Sequence, residues 1–299
     1  MTEKQIHRCG YAAIIGRPNV GKSTLLNRLI GQKLAITSHK AQTSRHALIG
    51  IKTLPEGQIL YVDTPGIHQR GESAINRYLN RSARSVLADV DVLIFVVEAL
   101  KLTPEDELVL KDLQKRKAPV ILAINKIDQV KEKQQLLPFI SRVAELYPFA
   151  EIIPVSALKG VQVDVLEQAT LKRLPEGESF FPEEQVTDRS ERFFAAELLR
   201  EQLTRRYADE LPYAVSVQIE EFKEEKGIYH ISAIIWVERP GQKAILLGKK
   251  GTAMKETAQR AREEMEKFFG TKVNLKVWIK VKKSWSSDES ALVRLGYGE

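Results

Sequence analysis

Residues 16–23, Gly-Arg-Pro-Asn-Val-Gly-Lys-Ser, constrain this chain more than any other stretch. The apolar run 11–15 enters them, and a helical pattern from Thr24 leaves them. A short buried strand, a glycine-bounded turn and a helix are the setting a phosphate-binding loop requires. Gly16 and Gly21 let the backbone curl tightly through Arg17, Pro18, Asn19 and Val20, so that successive N–H groups point inward at a triphosphate. The helix that follows adds unpaired N–H groups and a partial positive charge. Lys22 then reaches the β- and γ-phosphates, and the Ser23 hydroxyl ligates Mg²⁺. The plain alternative is a glycine turn with an exposed lysine.

Further short motifs recur at the ends of apolar runs. Residues 31–47 are a polar loop without clear periodicity, where Thr43 and Ser44 offer hydroxyls to complete the Mg²⁺ shell. The strand expected at 59–62 delivers Asp63-Thr64-Pro65-Gly66 at its carboxyl end, the end at which open α/β sheets bind ligands. Asp63 is placed to hold Mg²⁺, directly or through water, and the Gly66 N–H to meet the γ-phosphate. Runs 92–97 and 120–124 are continuously apolar, as in strands covered on both faces, with a helix expected over 105–117. The second run ends in Asn125-Lys126-Ile127-Asp128. A dry Asp128 carboxylate accepts two hydrogen bonds from the guanine N1–H and amine, donors that adenine lacks. Asn125 and Lys126 brace the base and its loop. A strand at 152–155 ends in Ser156-Ala157, whose Ala157 N–H is offered to the guanine O6. The alternation predicts an α/β, doubly wound, mostly parallel sheet through residue 174.

At 299 residues the chain is comfortable for two domains. One cysteine, Cys9, forbids an intramolecular disulfide, and the first residues lack the apolar core of a signal peptide, so a soluble cytosolic protein is expected. Charge divides unevenly: residues 176–238 carry −8, and residues 239–283 carry +9. A concentrated basic block beside an acidic one points to a polyanion partner, against the plainer reading of two solvated faces.

Residues 1–175 read as the nucleotide domain, 176–189 as a Pro- and Glu-rich linker, 190–283 as a smaller α+β domain and 284–299 as a tail. In the smaller domain, Asp188 or Ser190 caps an amphipathic helix, and strands at 215–219 and 229–237 flank a charged connection at 220–226. Gly248-Lys249-Lys250-Gly251 opens a helix that runs to about Phe269. A Gly-x-x-Gly loop between helices lets a nucleic-acid backbone approach, its lysines supply charge, and an adjacent apolar groove accepts unstacked bases. The last strand, 273–281, alternates Leu275, Val277 and Ile279 with Lys276, Trp278 and Lys280. In the tail, Trp285 and Tyr297 either pack on this domain or stack on a base.

The ordered set Gly-Arg-Pro-Asn-Val-Gly-Lys-Ser, Asp-Thr-Pro-Gly, Asn-Lys-Ile-Asp and Ser-Ala resembles the translation-factor-related GTPases. Gln42-Thr43-Ser44-Arg45-His46 and Gly248-Lys249-Lys250-Gly251 narrow the resemblance to the Era-like subfamily, over nearly the whole chain. It implies a P-loop GTPase domain followed by a type II KH domain, with GTP/GDP and Mg²⁺ as cofactors. It also implies hydrolysis served by Lys22, Thr43, Ser44 and Gly66, with Thr64, Pro65, Ile67 and Ile127 beside the nucleotide. RNA contact through Gly248, Lys249, Lys250, Gly251 and Lys255 is implied as well. The partners implied are 16S rRNA near its 3′ end and the maturing 30S ribosomal subunit, for a cytoplasmic monomer with peripheral contact at the inner face of the membrane. The chain departs from the family where Ser44 replaces a second threonine. Ile67 stands where Ras-like enzymes orient water with Gln, so slow intrinsic turnover is expected. Competing readings are a nucleotide-regulated RNA chaperone with little turnover and a peripheral membrane GTPase.

Overall fold

The computed structural model describes residues 7–37, 48–63, 90–207, 215–283 and 285. The chain divides into two compact units; among the described residues the first ends at Asp188 and the second begins at Arg189.

In the first unit the apolar runs become the middle of a six-stranded sheet. β1 (Arg8–Ile15) lies at its centre, with β2 (Leu48–Leu54) and β3 (Gly57–Asp63) on one side. On the other side lie β4 (Val92–Glu98), β5 (Val120–Asn125) and β6 (Glu151–Pro154), giving the order β2-β3-β1-β4-β5-β6. All neighbours are parallel except β2, which pairs antiparallel with β3 at the edge. Every residue of β3 and β5 is buried, as strands covered on both faces demand. The helices are α1 (Lys22–Ile30), α2 (Pro104–Leu113), α3 (Leu136–Ala144) and α4 (Val163–Leu171). Val109, Leu110 and Leu113 of α2 and Phe139 and Val143 of α3 pack against Ala13, Ile15, Phe95 and Leu122. The helix expected over 105–117 is shorter, because Gln114-Lys115-Arg116-Lys117 has no apolar side chain to bury and unwinds into turns.

The stretch that composition marks as a linker is fastened along this unit. The Cys9 N–H donates to Pro175 O, the Gly177 N–H to His7 O, and the Ile51 N–H to Val186 O. Gln58, fully buried at the start of β3, holds the middle. Its Oε1 accepts the Phe180 and Phe181 N–H groups at 3.0 Å, and its Nε2 donates to Phe181 O and Thr53 Oγ1 at 2.9 Å. The Phe180 ring stacks on Tyr11, with centroids 5.8 Å apart.

The second unit sets α5 (Glu191–Tyr207), α6 (Pro240–Leu247) and α7 (Thr252–Phe269) on one face of a three-stranded sheet, β7 (Val215–Glu225), β8 (Ile228–Val237) and β9 (Lys272–Val281). β7 and β8 are antiparallel, and β8 and β9 parallel. Of the two capping candidates, Ser190 sits at the start of α5, while Asp188 Oδ1 accepts the Ile49 N–H. The charged connection expected at 220–226 is instead strand: β7 runs to Glu225, and the turn shrinks to Lys226-Gly227, with φ +52° and +71°. Two consecutive left-handed residues match the twist of a tight hairpin, and charge does not prevent an exposed strand from pairing. Trp285 is fully buried, which settles it as a packing residue; Tyr297 lies outside the described residues. Among the described residues no helix is long and apolar enough to cross a membrane.

Truncating Gln58 tests the fastening. Gln58→Ala strands two N–H groups and a carbonyl of the 180–181 backbone, at a cost of about 1–3 kcal/mol. The denaturant midpoint of the first unit is expected to fall, and proteolytic cutting within 176–187 to accelerate. An unchanged midpoint with unchanged protection would show that Gln58 does not hold this segment.

Candidate functional site

The described residues of the sequence motifs lie at the carboxyl ends of β1, β3, β5 and β6. Between β1 and α1 the backbone curls through Gly16 (φ +149°), Asn19 (φ +64°) and Gly21 (φ +103°). A Cβ on Gly16 would lie 2.4 Å from Val96 O, and one on Gly21 would lie 2.3 Å from Asn125 Nδ2, so no larger residue fits the curl without a shift. Lys22, the first residue of α1, folds back into it. Its Nζ donates to Gly16 O and Arg17 O, both at 2.9 Å, and the side chain is buried. Burial lowers its pKa to about 8 against the pull of Asp63. A turn with an exposed lysine is therefore excluded. A concave run of backbone with a buried ammonium inside it fits a triphosphate, which supplies the counter-charge that two carbonyl dipoles only approximate.

The two Mg²⁺ candidates that lie in described residues meet each other: Ser23 Oγ donates to Asp63 Oδ2 at 2.9 Å, and Asp63 is 1% exposed. A hydroxyl and a carboxylate at the N-terminus of a helix form an oxygen donor set suited to a hard cation. Thr43, Ser44, Thr64, Pro65, Gly66 and Ile67 lie outside the described residues.

Asn125 ties two loops together. Its Nδ2 donates to Val20 O at 2.8 Å, and its Oδ1 accepts the Ala157 N–H at 2.9 Å. The Ala157 N–H, expected at the guanine O6, is given to Asn125, because the buried amide oxygen needs a donor. Asp128 is exposed; its Oδ1 accepts the Ser156 hydroxyl at 2.6 Å, which fixes the direction of the carboxylate. Ser156 Oγ in turn accepts the Lys159 N–H. Lys126 takes φ +67°, and a single turn, Ile127–Gln129, carries Asp128.

Sequence reasoning missed two acidic residues that organise this centre. Arg17 is buried; its Nε donates to Asp106 Oδ2 at 3.1 Å and its Nη2 to Glu98 Oε2 at 3.2 Å. The same Glu98 oxygen accepts Lys126 Nζ at 3.0 Å, so one carboxylate at the end of β4 joins the phosphate loop to the Asn-Lys-Ile-Asp loop. Burial alone would raise the Glu98 carboxyl, but the Lys126 hydrogen bond and charge, with Lys101 and Arg17, hold it below the ordinary range. Asp106 is fully buried, and its Oδ2 also takes the Thr103 N–H and hydroxyl at the start of α2. The Thr103-Pro104-Glu105-Asp106 pattern signals that helix start, but nothing in it signals the ion pair with Arg17.

In the second unit, α6 and α7 are joined by Gly248, Lys249, Lys250 and Gly251. Gly248, Lys250 and Gly251 all have positive φ. Lys249, Lys250 and the nearby Lys255 are exposed, and Ile245 and Leu247 of α6 present apolar surface beside them. The buried Tyr207 hydroxyl donates to Leu246 O at 2.9 Å and anchors α6.

Two family profiles match the chain, one described as 50S ribosome-binding GTPase over residues 11–126 and one as KH domain over residues 210–286. The chain is 55% identical to GTPase Era of Ectopseudomonas mendocina over 297 residues, covering 99% of each chain. It is 56% identical to GTPase Era of Pseudomonas aeruginosa over 292 residues, covering 98% of this chain and 96% of the relative. It is also similar to two solved structures, each covering 97% of this chain and 99% of the other with a TM-score of 0.93. One is a variant of Aquifex aeolicus Era bound to GDP·AlF4⁻, at 39% identity. The other is Era in complex with MgGDPNP and nucleotides 1506–1542 of 16S ribosomal RNA, at 38% identity. With a P-loop nucleotide domain and a KH domain in this order, and with that identity over nearly its full length, the chain belongs to the Era family of GTPases.

Proposed function

We propose that this chain is a GTP-binding and GTP-hydrolysing switch that binds 16S rRNA near its 3′ end and acts in 16S rRNA processing and 30S subunit assembly. The buried Lys22 ammonium inside the glycine-bounded curl carries the nucleotide half of this reading. The relatives' names and the bound states of the two similar structures support hydrolysis and rRNA contact.

Each residue then has a task. The backbone of residues 16–21 and the N-terminus of α1 orient the phosphates, and Lys22 stabilises charge on their oxygens. Ser23 and Asp63, with Thr43 or Ser44, hold Mg²⁺, which when bound neutralises charge shared between the β- and γ-phosphates. Asp128, aimed by Ser156, reads the guanine N1–H and amine, and Asn125 holds that loop to the phosphate loop. Glu98 positions both loops by sharing one carboxylate oxygen between Arg17 and Lys126. Lys249, Lys250 and Lys255 approach RNA phosphates, and Ile245 and Leu247 receive bases beside them.

Asp128→Asn keeps an acceptor for Ser156 but presents an amide donor to the base. GTP binding is expected to weaken by about 1–3 kcal/mol, and xanthosine triphosphate, whose C2 carbonyl matches that donor, to gain. Competitive binding of the two nucleotides decides it, and unchanged GTP affinity without a gain for xanthosine triphosphate would sink the assignment. Glu98→Gln removes the charge shared by Arg17 and Lys126. It is expected to weaken GTP and GDP alike by about 1–2 kcal/mol while leaving the preference for guanine over xanthine intact. A nucleotide affinity equal to that of the parent protein would deny Glu98 its positioning role. Replacing Lys249 and Lys250 together with Asp is expected to weaken single-stranded RNA binding and lower its salt slope by about one to two units, because each phosphate contact in a single strand releases about 0.7 of a counterion. GTP affinity, measured in the same preparation, is expected to hold. RNA affinity that survives the double reversal at every salt concentration would reduce the Gly-x-x-Gly loop to a turn.

A further inference from the structure

The last strand has an outer face that the reading above leaves without a task. Along β9, Val273 and Ile279 sit in the core of the second unit, with Leu275 and Val277 packed against it, so the alternate residues point away from the helices. Those residues are Lys276, Trp278 and Lys280, all exposed. The register puts Trp278 beside Ile234, Lys280 beside Trp236 and Lys276 beside Ser232 on the same face. Three of these side chains are accounted for. Trp236 is half-buried: its Nε1 donates to Gln218 Oε1 at 2.9 Å, and Lys280 Nζ lies 5.9 Å from its ring centroid. Lys280 also meets Glu220 at 3.4 Å. Ile234, although it points outward, is only 2% exposed. Trp278, the one large apolar side chain exposed among these, keeps 45% of its surface in water.

Lysines on an edge strand have a plain use, since they discourage pairing with other chains. An exposed tryptophan between them does the opposite, and edge protection does not explain it. An aromatic ring open on one side, with a cation two residues away in each direction along an extended strand, matches what a single strand of nucleic acid offers. The ring takes a base, and lysines two positions away, roughly 6.6 Å along the strand to either side, take the flanking phosphates. Ammonium groups and tryptophan also suit an anionic lipid surface. The neighbours on this face argue against that, because Ser232, Gln218 and Glu221 are polar and a lone ring buries too little apolar area to hold a membrane.

We propose that Trp278, flanked by Lys276 and Lys280 on the outer face of the sheet, is a second RNA contact on which an unpaired base stacks, outside the Gly-x-x-Gly groove. The proposal rests on the RNA-binding reading, and the test separates the two. Full-length protein carrying Trp278→Ala or Trp278→Phe would be titrated with a single-stranded RNA of about six nucleotides, enough for the groove, and with one of about twenty. For the longer RNA the alanine variant is expected to bind about 5- to 160-fold more weakly, the range for losing one stacked base, while the phenylalanine variant keeps most of the affinity. Neither variant is expected to change the short RNA or GTP. RNA-induced quenching of tryptophan fluorescence is expected in the parent protein and lost in Trp278→Phe. Undiminished affinity of Trp278→Ala for the longer RNA overturns the proposal and leaves the groove intact. So does an equal loss for both lengths, which would report a disturbed domain. Flotation with phosphatidylglycerol vesicles that disappears in Trp278→Ala, with RNA binding unchanged, assigns the face to a membrane instead. Failure of the parent protein to bind either RNA overturns the RNA-binding reading itself.

Discussion

The first unit depends on one side chain placed where three loops converge. Asn125 closes β5, and its amide reaches the phosphate loop through Val20 O and the Ser156-Ala157 loop through the Ala157 N–H. It is almost fully buried, so each of those hydrogen bonds is costly to leave unmade. Gly21 has no side chain because this amide stands in the way: a Cβ there would lie 2.3 Å from Asn125 Nδ2. The glycine that lets the loop curl and the asparagine that fixes the curl are therefore one constraint. Parallel strands make it available, since they bring the ends of β1, β4, β5 and β6 to the same edge of the sheet.

A shell of charge stands behind that amide. Arg17, in the loop, is held by Asp106 and Glu98, and Glu98 also holds Lys126. Such pairs add little net stability, because desolvation offsets much of the attraction. What they supply is direction. Breaking one partner leaves a buried charge unmatched, so the loops carrying Lys22 and Asp128 are coupled to residues that themselves touch no ligand. The fastening of residues 175–188 has the same character. Gln58, at the start of β3, and Asp63, at its end, belong to one strand, so the chain leaving the first unit lies on the strand that also carries the Ser23 partner.

The sequence made legible what repeats or alternates. Apolar runs 92–97 and 120–124 became β4 and β5, and the order of the four motifs put their residues at the strand ends. Contacts between residues far apart in the chain leave no periodic trace. Gln58 and Phe181 are separated by 123 residues and Arg17 and Asp106 by 89, and none of the four belongs to a patterned pair. Composition misled at 220–226, where a run of charge suggested a loop. β7 is exposed there, and an exposed strand satisfies its backbone in the ladder whatever its side chains carry. Nor does the Asn-Lys-Ile-Asp pattern show that the Ser156 hydroxyl, 28 positions on, fixes the direction of the Asp128 carboxylate.

The chain uses one local device twice, to different ends. Both Gly16-to-Lys22 and Gly248-to-Gly251 are glycine-bounded loops with left-handed residues, lysine at or near their ends, and a helix beginning at once. In the first, strands surround the loop, and Lys22 is buried against two carbonyls with its pKa lowered to about 8. A buried, pre-aimed cation loses little entropy on binding and acts in a low dielectric, which suits one fixed triphosphate geometry. In the second, nothing encloses Lys249 and Lys250, and both stay in water. Exposed ammonium groups on flexible stems tolerate many backbone paths but are screened by salt. Burial alone thus separates an enclosed cation held to one geometry from exposed cations free to take many. The lysine, the glycines and the helix start are common to both.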